Sequence, residues 1–556
     1  MSFGLQRRSR YFLCWLCTHS IDRRSLDFAM AMWNPCKTAR RTTPSTAMAS
    51  FPRPHGQFFT ARRHATHFRR LGRSKTVPQA ADGNGISPKP FPNEDEVMAV
   101  DTLASVLQPR PSPYCANNNN GEGFVHPRDR VMLQALEFYS EESAGSRCGG
   151  AAAYSTQDLC IQLDKYAVRS GPRSNIYFDP KKVTAAIVTC GGLCPGLNDV
   201  VKNLVLQLTG YGVPDGNILG IRYGFSGFYE LEHPPRNLTV NSVENIQLMG
   251  GTILGTSRGG SDMKKIVEAL KMQGINMVFV VGGNGGNAGA SAIAKECMAQ
   301  DYKCAVVGIP KSIDNDILVI DKTFGFDTAV EEAERAILSA KVEAYSAKRG
   351  VGIVKLMGRQ SGFIALHASM AAGEADICLI PEVKFRLERV LQYIDYLLEV
   401  KGHCVIVIAE GAGQDILQSS DEVGTDASGN PILADVGVWL RDEVKRHFKE
   451  VGRKPADVKY IDPSYMIRAS KCISSDAIYC QVLAQGAVHG AFAGFTNMTV
   501  GLVNTHYVYL PTPVIIQAPR SVNPQGRMWN RMTASNGQPD FDSDEPLRSR
   551  RYLFHA

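Results

Sequence analysis

The sequence has no apolar run that approaches the roughly 18 to 20 residues needed to cross a bilayer. Its strongest apolar segments, 275–281 and 405–409, have the length of β-strands, so the sequence predicts a protein that does not span a membrane. With 44% hydrophobic and 21% charged residues, the composition excludes disordered and collagen-like chains. A length of 556 residues leaves room for two or three domains.

Acidic residues are almost absent from the first 80 positions, where Asp22 and Asp27 stand against 15 Lys and Arg residues. The formal net charge of +7 therefore arises in this segment, and the remainder is net acidic, which argues against a nucleic-acid-binding protein. A segment rich in Arg, Ser and Thr and poor in acids is typical of an organelle transit peptide. A disordered basic tail is the alternative, and a secretory signal is a weaker one because the apolar stretch 11–17 is short.

The 14 cysteines show no spacing typical of a metal site. Most of them, such as Cys378 and Cys404, lie in apolar stretches, and we expect them to be small buried hydrophobic residues. A reducing compartment is therefore the expected setting.

From about residue 183 onward, short β-branched segments alternate with amphipathic stretches of helical length, and the spacing of apolar residues in 387–398 is clearly helical. The alternation predicts an α/β fold. Its length predicts two similar doubly wound lobes with parallel central sheets and the active site in the cleft between them. The predicted buried strands are 183–189, 277–281, 306–309, 352–356, 405–409 and 458–461.

Three glycine-rich segments lie near the ends of predicted elements. They are 191–196, 250–260, which has Arg258 among glycines ahead of a helix capped by Ser261, and 282–286. Such loops bring backbone N–H groups close to phosphate at a helix N-terminus. None fits the Walker A or the GxGxxG pattern, and each alone is more often a tight turn. Taken together with Arg258, they favour a polyphosphate ligand.

The segment Pro-Lys-Ser-Ile-Asp-Asn-Asp at 310–316 places Asp314 and Asp316 two residues apart, with Ser312 shortly before them. Alternating backbone geometry would direct both carboxylates the same way. This suits one carboxylate that accepts a proton from an alcohol and one that holds Mg²⁺. An Asp-rich turn with side-chain hydrogen bonds is the alternative.

Two arginines, Arg359 and Arg468, lie at the ends of predicted strands, with Glu410 at the end of another. Arginines in this position are solvated surface residues or phosphate ligands, and an acid opposite them that could bind sugar hydroxyls favours the second interpretation. The combination of base, positive charge and glycine loops predicts phosphoryl transfer from a nucleotide to a hydroxyl of a phosphorylated small molecule.

Five motifs, in this order and at these distances, resemble those of the plant-type ATP-dependent 6-phosphofructokinases. They are Gly-Gly-Leu-Cys-Pro-Gly (191–196), Gly-Gly-Thr-Ile-Leu-Gly-Thr-Ser-Arg (250–258), Pro-Lys-Ser-Ile-Asp-Asn-Asp (310–316), Met-Gly-Arg (357–359) and Tyr-Met-Ile-Arg (465–468). The resemblance covers about residues 130 to 540, and the basic leader is similar to that of the chloroplast-targeted members. It implies Mg²⁺-dependent transfer from ATP to fructose 6-phosphate in glycolysis, by an allosteric homotetramer in the plastid stroma.

The resemblance also implies residue roles. Asp314 corresponds to the proton acceptor for the C1 hydroxyl, and Arg359 to the group that faces the transferring phosphate. Expected substrate-binding residues are Ser312, Ile313, Asp314, Met357, Gly358, Arg359, Glu410, Tyr465, Met466, Ile467 and Arg468. Expected ATP-binding residues are Gly191, Arg258, Gly259, Gly283, Asn284, Gly285 and Gly286, and the expected metal ligands are Asn284 and Asp316.

Two positions bear on the phosphate donor, and two others depart from the family pattern. The resemblance implies Asp in pyrophosphate users at the position of Gly285, so the glycine favours ATP as the phosphate donor. Lys311, however, also occurs in pyrophosphate enzymes. Asn284 stands where most members have a Mg²⁺-binding Asp, and Gly286 replaces a usual hydroxyl residue. A pyrophosphate-dependent enzyme and a weakly active regulatory subunit therefore remain alternatives, whereas a dehydrogenase is disfavoured because the GxGxxG turn is missing.

The expected organisation has five parts. A plastid transit peptide (1–80) precedes an N-terminal extension and linker (81–180). An ATP-binding lobe (181–345) and a fructose 6-phosphate lobe (346–525), between which segments can be exchanged, precede a C-terminal tail (526–556).

Overall fold

The computed structural model describes residues 94–116, 123–134, 153–155, 160–417, 424–425 and 432–547. The predicted transit peptide lies outside these residues. Within them, no helix combines the length and the apolar character that a membrane crossing requires.

Among the described residues, nine strands form one sheet in the order β2-β5-β17-β16-β11-β10-β7-β8-β9, and four form a second in the order β13-β14-β12-β15. The strands are β1 (Arg110–Pro111), β2 (Arg130–Met132), β3 (Ala153–Ser155), β4 (Cys160–Gln162), β5 (Tyr166–Arg169), β6 (Asn175–Ile176), β7 (Ala185–Thr189), β8 (Ile218–Ile221), β9 (Arg236–Asn237), β10 (Met277–Gly282), β11 (Ala305–Pro310), β12 (Gly350–Leu356), β13 (Ile377–Leu379), β14 (His403–Ala409), β15 (Asp457–Ile461), β16 (Met498–Val503) and β17 (His506–Pro511).

Helices connect these strands. They are α1 (Pro113–Ala116), α2 (Leu197–Tyr211), α3 (Met263–Met272), α4 (Asn284–Ala299), α5 (Phe326–Ser346), α6 (Phe363–Ala372), α7 (Leu387–Val400), α8 (Gln414–Leu417), α9 (Val436–Glu450), α10 (Ser464–Ala469), α11 (Ser474–Phe492), α12 (Thr512–Ile515) and α13 (Arg527–Asn536).

The α/β fold and the six strands predicted from the sequence are confirmed, as is the helix over 387–398. Cys378 and Cys404 are buried and unbridged, as expected. The cap of α3 was predicted one residue early: the side chain of Asp262, not Ser261, accepts the N–H of Lys265 at 3.2 Å. An Asp at this position satisfies a helix N–H group that has no intrahelical partner.

The two sheets differ more than the pattern suggested. The four-stranded sheet is parallel throughout. In the nine-stranded sheet only β16, β11, β10, β7 and β8 are parallel, and antiparallel strands extend both sides. β2 and β5, from the predicted extension, form one edge, and β16 and β17 return to this sheet after the chain has built the other.

Strand register decides which loops meet. Val281 of β10 is paired with Thr189 of β7, and Gly282 with Pro310 of β11, so the loops that follow these three strands leave the sheet side by side. In the second sheet, Leu356 of β12 is paired with Ala409 of β14. Ligands of α/β sheets bind at this carboxyl edge, and both sheets present their sequence-predicted site residues there.

Candidate active site

The acid loop, residues 311–316, follows β11 and is a turn. Asn315 has a left-handed φ of 54°, and its side-chain oxygen accepts the N–H of Thr323 at 3.0 Å. The expectation that strand-like alternation aligns Asp314 and Asp316 is therefore wrong in its geometry, because a left-handed residue interrupts the extended backbone. The two carboxylates nevertheless lie close enough for Asp316 to raise the pKa of Asp314.

Asp314 is half-buried, and its Oδ1, which is shielded from solvent, has no hydrogen-bond partner among the described residues. Burial, followed by the nearby charges of Asp316 and Glu410, raises the pKa of Asp314 to about 8, while Lys311 and Arg359 act in the opposite direction. These effects show that the structure brings together charged groups from three separate loops. An unpaired buried carboxylate oxygen is costly unless a ligand completes it, as expected of a group that awaits a substrate hydroxyl.

Asp316, by contrast, is held on both oxygens. The Ser312 hydroxyl donates to its Oδ1 at 2.5 Å, and the side-chain amide of Asn284 donates to its Oδ2 at 3.0 Å. Burial raises the pKa of Asp316, and these two hydrogen bonds oppose that shift. Asp316 is therefore fixed in place, whereas Asp314 keeps a free oxygen for a ligand.

Asn284 turns its amide nitrogen toward Asp316, and its oxygen is buried with no hydrogen-bond partner in the described part of the chain. An orphaned amide oxygen beside a carboxylate fits a hard cation such as Mg²⁺, which prefers oxygen ligands. Within the described residues, no group of three or more His, Cys, Asp or Glu side chains could hold a metal. The donor set therefore fits a Mg²⁺ that takes its remaining ligands from phosphate and water.

The donor loop, Gly283 to Gly286, is the N-terminus of α4 rather than a loop ahead of it. Gly283 is the N-cap, and Asn284, Gly285 and Gly286 form the first helical turn. The first N–H groups of a helix lack intrahelical partners and carry positive partial charge, which favours phosphate. A Cβ added at Gly285 would meet no atom within 4 Å, so the space beside this residue is open.

Gly191 lies next to the donor and acid loops. Its φ of 88° requires glycine, its N–H donates to Ser257 O at 3.0 Å, and its C=O accepts the Thr256 hydroxyl at 2.7 Å. A Cβ at Gly191 would lie 3.6 Å from the Lys311 amine, in ordinary contact, so this glycine lies beside the cation. Arg258 and Gly259, the other expected ATP contacts, are exposed to solvent.

The substrate loop, Met357 to Arg359, follows β12 and is folded against Glu410. The N–H of Glu410 donates to Leu356 O at 2.9 Å, and that of Gly411 donates to Gly358 O at 3.1 Å. Any Cβ at Gly411 would lie 2.0 Å from Arg359 O, which explains why glycine follows the acid. Burial raises the pKa of Glu410, and Arg359 is the strongest of the cations that lower it.

The Tyr-Met-Ile-Arg motif lies on α10. Tyr465 and Met466 are 77% and 72% exposed, and the Arg468 guanidinium lies 4.9 Å from the Tyr465 ring centroid. The side chains of Ile467 and Ile313 are buried in the core, so these two residues offer a ligand only their backbone. Met357 is also mostly buried. Of the predicted set on α10, Tyr465 and Met466 are therefore accessible to a ligand through their side chains, whereas Ile467 is not.

Three further residues support the site and were not found from the sequence. Ser361 donates its hydroxyl to Asp314 O at 3.2 Å, and the backbone N–H of Arg520 donates to Asp316 O at 2.7 Å. Lys355, on β12, lies 2.8 Å from Asp462 and 3.3 Å from Asp435. Ser361 follows the Met-Gly-Arg motif closely and could have been suspected, whereas Arg520 is remote in sequence and carries no motif.

The chain matches the phosphofructokinase family model over residues 184–491. It is 53% identical over 422 residues to the ATP-dependent 6-phosphofructokinase 5, chloroplastic, of Arabidopsis thaliana, which covers 75% of this chain and 76% of that protein. It is 39% identical over 458 residues to the ATP-dependent 6-phosphofructokinase of Borreliella burgdorferi, covering 80% and 98%. The crystal structure of a pyrophosphate-dependent phosphofructokinase from Marinobacter aquaeolei matches with a TM-score of 0.53 and 19% identity, over 66% of this chain and 94% of that one. The last similarity shows the fold alone.

Proposed function

The chain belongs to the phosphofructokinase family, and we propose that Asp314 is the general base with which it phosphorylates fructose 6-phosphate. Its activity is the ATP-dependent formation of fructose 1,6-bisphosphate, a kinase reaction of glycolysis. The observation that supports the role of Asp314 is its buried Oδ1, which has no partner among the described residues. A substrate hydroxyl that donates to this oxygen satisfies it and is activated in the same contact.

In the proposed reaction, the C1 hydroxyl oxygen attacks the γ-phosphorus of ATP and its proton passes to Asp314. The bond between the γ-phosphorus and the bridging oxygen breaks, and ADP leaves with that oxygen. Arg359 and Lys311, whose charges both reach Asp314, stabilise the negative charge on the transferring group. Such a reaction depends mainly on positioning and on positive charge, which these loops supply.

Substrate binding is proposed at the second sheet. Glu410 accepts sugar hydroxyls, and Arg468 and Tyr465 bind the 6-phosphate. The charges of Arg359 and Arg468 both lower the pKa of Glu410, which supports placing the acid and the two arginines around the same ligand. Backbone groups of Ser312, Ile313, Met357, Gly358, Met466 and Ile467 complete the proposed contacts.

The donor site is proposed at the N-terminus of α4, with Gly191, Arg258 and Gly259 on the opposite side. Open space beside Gly285 supports a nucleotide, because an α-phosphate requires room that pyrophosphate does not. Mg²⁺ is proposed to rest on Asp316 and Asn284. When bound, it neutralises charge on the phosphate oxygens.

The deciding experiment is formation of fructose 1,6-bisphosphate by the purified protein with ATP or with pyrophosphate. We expect activity with ATP, and Asp314→Asn should lower turnover by about 10² to 10⁴-fold with fructose 6-phosphate affinity changed only a few-fold. Activity with pyrophosphate alone would overturn the donor assignment. Near-normal turnover of Asp314→Asn would overturn the role of Asp314.

A regulatory subunit is the second candidate, and Asn284 and Gly286 are the observations that favour it. In that case the purified chain would bind fructose 6-phosphate without turnover and would change the rate of an active family member when mixed with it. Full activity of the chain alone excludes this candidate.

Chloroplast location and a homotetrameric assembly are proposed in addition. The name of the Arabidopsis relative and the basic, acid-poor composition of residues 1–80 support the plastid. A fluorescent fusion of residues 1–85 should enter chloroplasts, and retention in the cytosol or entry into mitochondria would contradict this. Sedimentation of the purified protein tests the tetramer.

A further inference from the structure

Asn287 lies directly behind the donor loop and is completely buried. Its side-chain amide donates to Gly282 O at 2.9 Å and to Gly283 O at 3.0 Å. Its Oδ1 accepts the hydroxyl of Thr499 at 3.1 Å. The side chain thus joins two consecutive carbonyls of the donor loop to a strand that the chain adds about 200 residues later.

The space for this side chain is provided by Gly308 on β11. A Cβ at Gly308 would lie 2.3 Å from Asn287 Oδ1 and 2.5 Å from Thr499 Oγ1. Thr499 is the register partner of Gly308, and its hydroxyl also lies 3.1 Å from that of Thr512. The result is a buried polar chain that runs from the donor loop across the sheet, with every link a hydrogen bond of ordinary length.

This chain helps to fix the direction of the peptide groups in the donor loop, together with the backbone N–H groups of Lys311 and Asn287, which donate to Gly282 O and Gly283 O at 2.9 Å. In a trans peptide the C=O and the following N–H point in opposite directions. When Asn287 binds the carbonyls of Gly282 and Gly283 on the inner side, the N–H groups of Gly283 and Asn284 are turned away from it. Those N–H groups belong to the phosphate-binding helix N-terminus proposed above.

We infer that Asn287 is a positioning residue for the donor phosphates, acting through the carbonyls of Gly282 and Gly283. The inference rests on the proposed function in one respect only, which is that the donor binds at the N-terminus of α4. A buried Asn that merely fills space would affect folding but would not distinguish one substrate from the other.

The test compares Asn287→Leu, Thr499→Val and a matched control, Asn276→Leu. Asn276 also binds backbone on two sides, accepting Thr184 N–H at 3.1 Å and donating to Lys182 O at 3.0 Å, but it precedes β10 at the opposite edge of the sheet. The measurements are KM for ATP and for fructose 6-phosphate, the thermal midpoint, and calorimetric binding of a non-hydrolysable ATP analogue.

Asn287→Leu should raise the ATP KM and weaken binding of the analogue by about tenfold. This is the loss expected when one hydrogen bond of about 1.4 kcal/mol no longer orders the site. The fructose 6-phosphate KM should change less than twofold. Thr499→Val should raise the ATP KM and weaken binding of the analogue by about threefold. Asn276→Leu should lower the thermal midpoint without changing either ATP value.

Wild-type analogue affinity in folded Asn287→Leu would overturn the inference. If that variant does not fold, Thr499→Val decides, and an unchanged ATP affinity there has the same meaning. If the wild-type protein binds the analogue but shows no turnover with ATP, the proposed function is contradicted. The inference is then judged from the analogue affinities of the variants.

Discussion

Asn284 and Asp316 are hydrogen-bonded to each other, with 3.0 Å between the amide nitrogen of Asn284 and Oδ2 of Asp316. The two proposed metal ligands therefore hold each other in place without like-charge repulsion. The neutral amide makes the metal-free site easier to form, and it also leaves a bound cation with one negative ligand fewer.

Asn284→Asp should lower the free Mg²⁺ needed for half-maximal rate at saturating ATP, because charge count strongly affects the affinity for hard cations. The same change places two carboxylates in contact and removes the hydrogen bond to Asp316, so the metal-free protein should lose thermal stability that Mg²⁺ restores. Rate and thermal midpoint are measured across a Mg²⁺ titration. An unchanged Mg²⁺ dependence of both would show that position 284 does not contact the metal.

Gly285→Asp should obstruct ATP because the carboxylate would enter the open space beside the helix N-terminus and repel the α-phosphate. We expect the ATP KM to rise by at least tenfold. Gly285→Ala is the matched control, since a methyl group has no atom within 4 Å to meet and should change the ATP KM little. Equal effects of the two variants would indicate that backbone conformation, and not space or charge, explains the glycine.

Lys355 links the strand that carries the substrate loop to the helix that carries Tyr465 and Arg468. Its partner Asp462 also accepts the N–H of Ser464, the first residue of α10, at 3.1 Å. Lys355→Met should therefore raise the fructose 6-phosphate KM, by about tenfold, while the ATP KM stays within twofold. Lys265→Met removes an exposed ion pair with Asp262 and is the control, because such pairs contribute at most about 1 kcal/mol. An equal rise in both KM values for Lys355→Met would indicate general loss of structure.

His489 predicts a pH dependence of stability. Burial, with a smaller effect of Arg173, lowers the pKa of His489 to about 3, and its ring packs against Tyr114 and is hydrogen-bonded to the Tyr211 hydroxyl. An unfolded histidine titrates near pH ~6.5. Below that pH the unfolded chain binds a proton that the folded chain does not, so this histidine lowers the unfolding free energy by about 1.4 kcal/mol per pH unit down to pH about 3.

His489→Gln removes this titration, and the unfolding free energy of the variant should fall less steeply than that of the wild type between about pH 6 and pH 4. Urea denaturation at a series of pH values measures the two slopes. Parallel slopes would show that His489 is protonated in the folded protein.

The sequence predicted what depends on neighbours along the chain. The buried strands β10, β11 and β14 can be recognised from their uninterrupted apolar residues. The donor loop directly follows β10, and the acid loop directly follows β11. For the acid loop, the sequence is compatible with both an extended segment and an Asp-rich turn, and the turn is selected by Thr323, with which Asn315 is hydrogen-bonded. The short strands β2 and β5 were also missed, since β5 becomes a strand only by pairing with β17, and β2 only by pairing with β5.

The support of the site depends on contacts that no local pattern contains. Arg520 holds the acid loop through Asp316 O from about 200 residues away, and Thr499 holds Asn287 over a similar distance. Both are ordinary polar residues in the sequence, and only the fold brings them to the loops that they support.

The order in which the chain returns to its first sheet has a consequence for synthesis on the ribosome. The N–H of Val306 on β11 donates to the Thr496 hydroxyl, 190 residues later in the chain, and β16 then pairs with β11. At about 5 to 20 residues per second, β11 presents an open edge for about 10 to 40 s while the contiguous second sheet is being made. Unpaired edge strands attract other chains, so during this period β11 is open to pairing with the wrong partner.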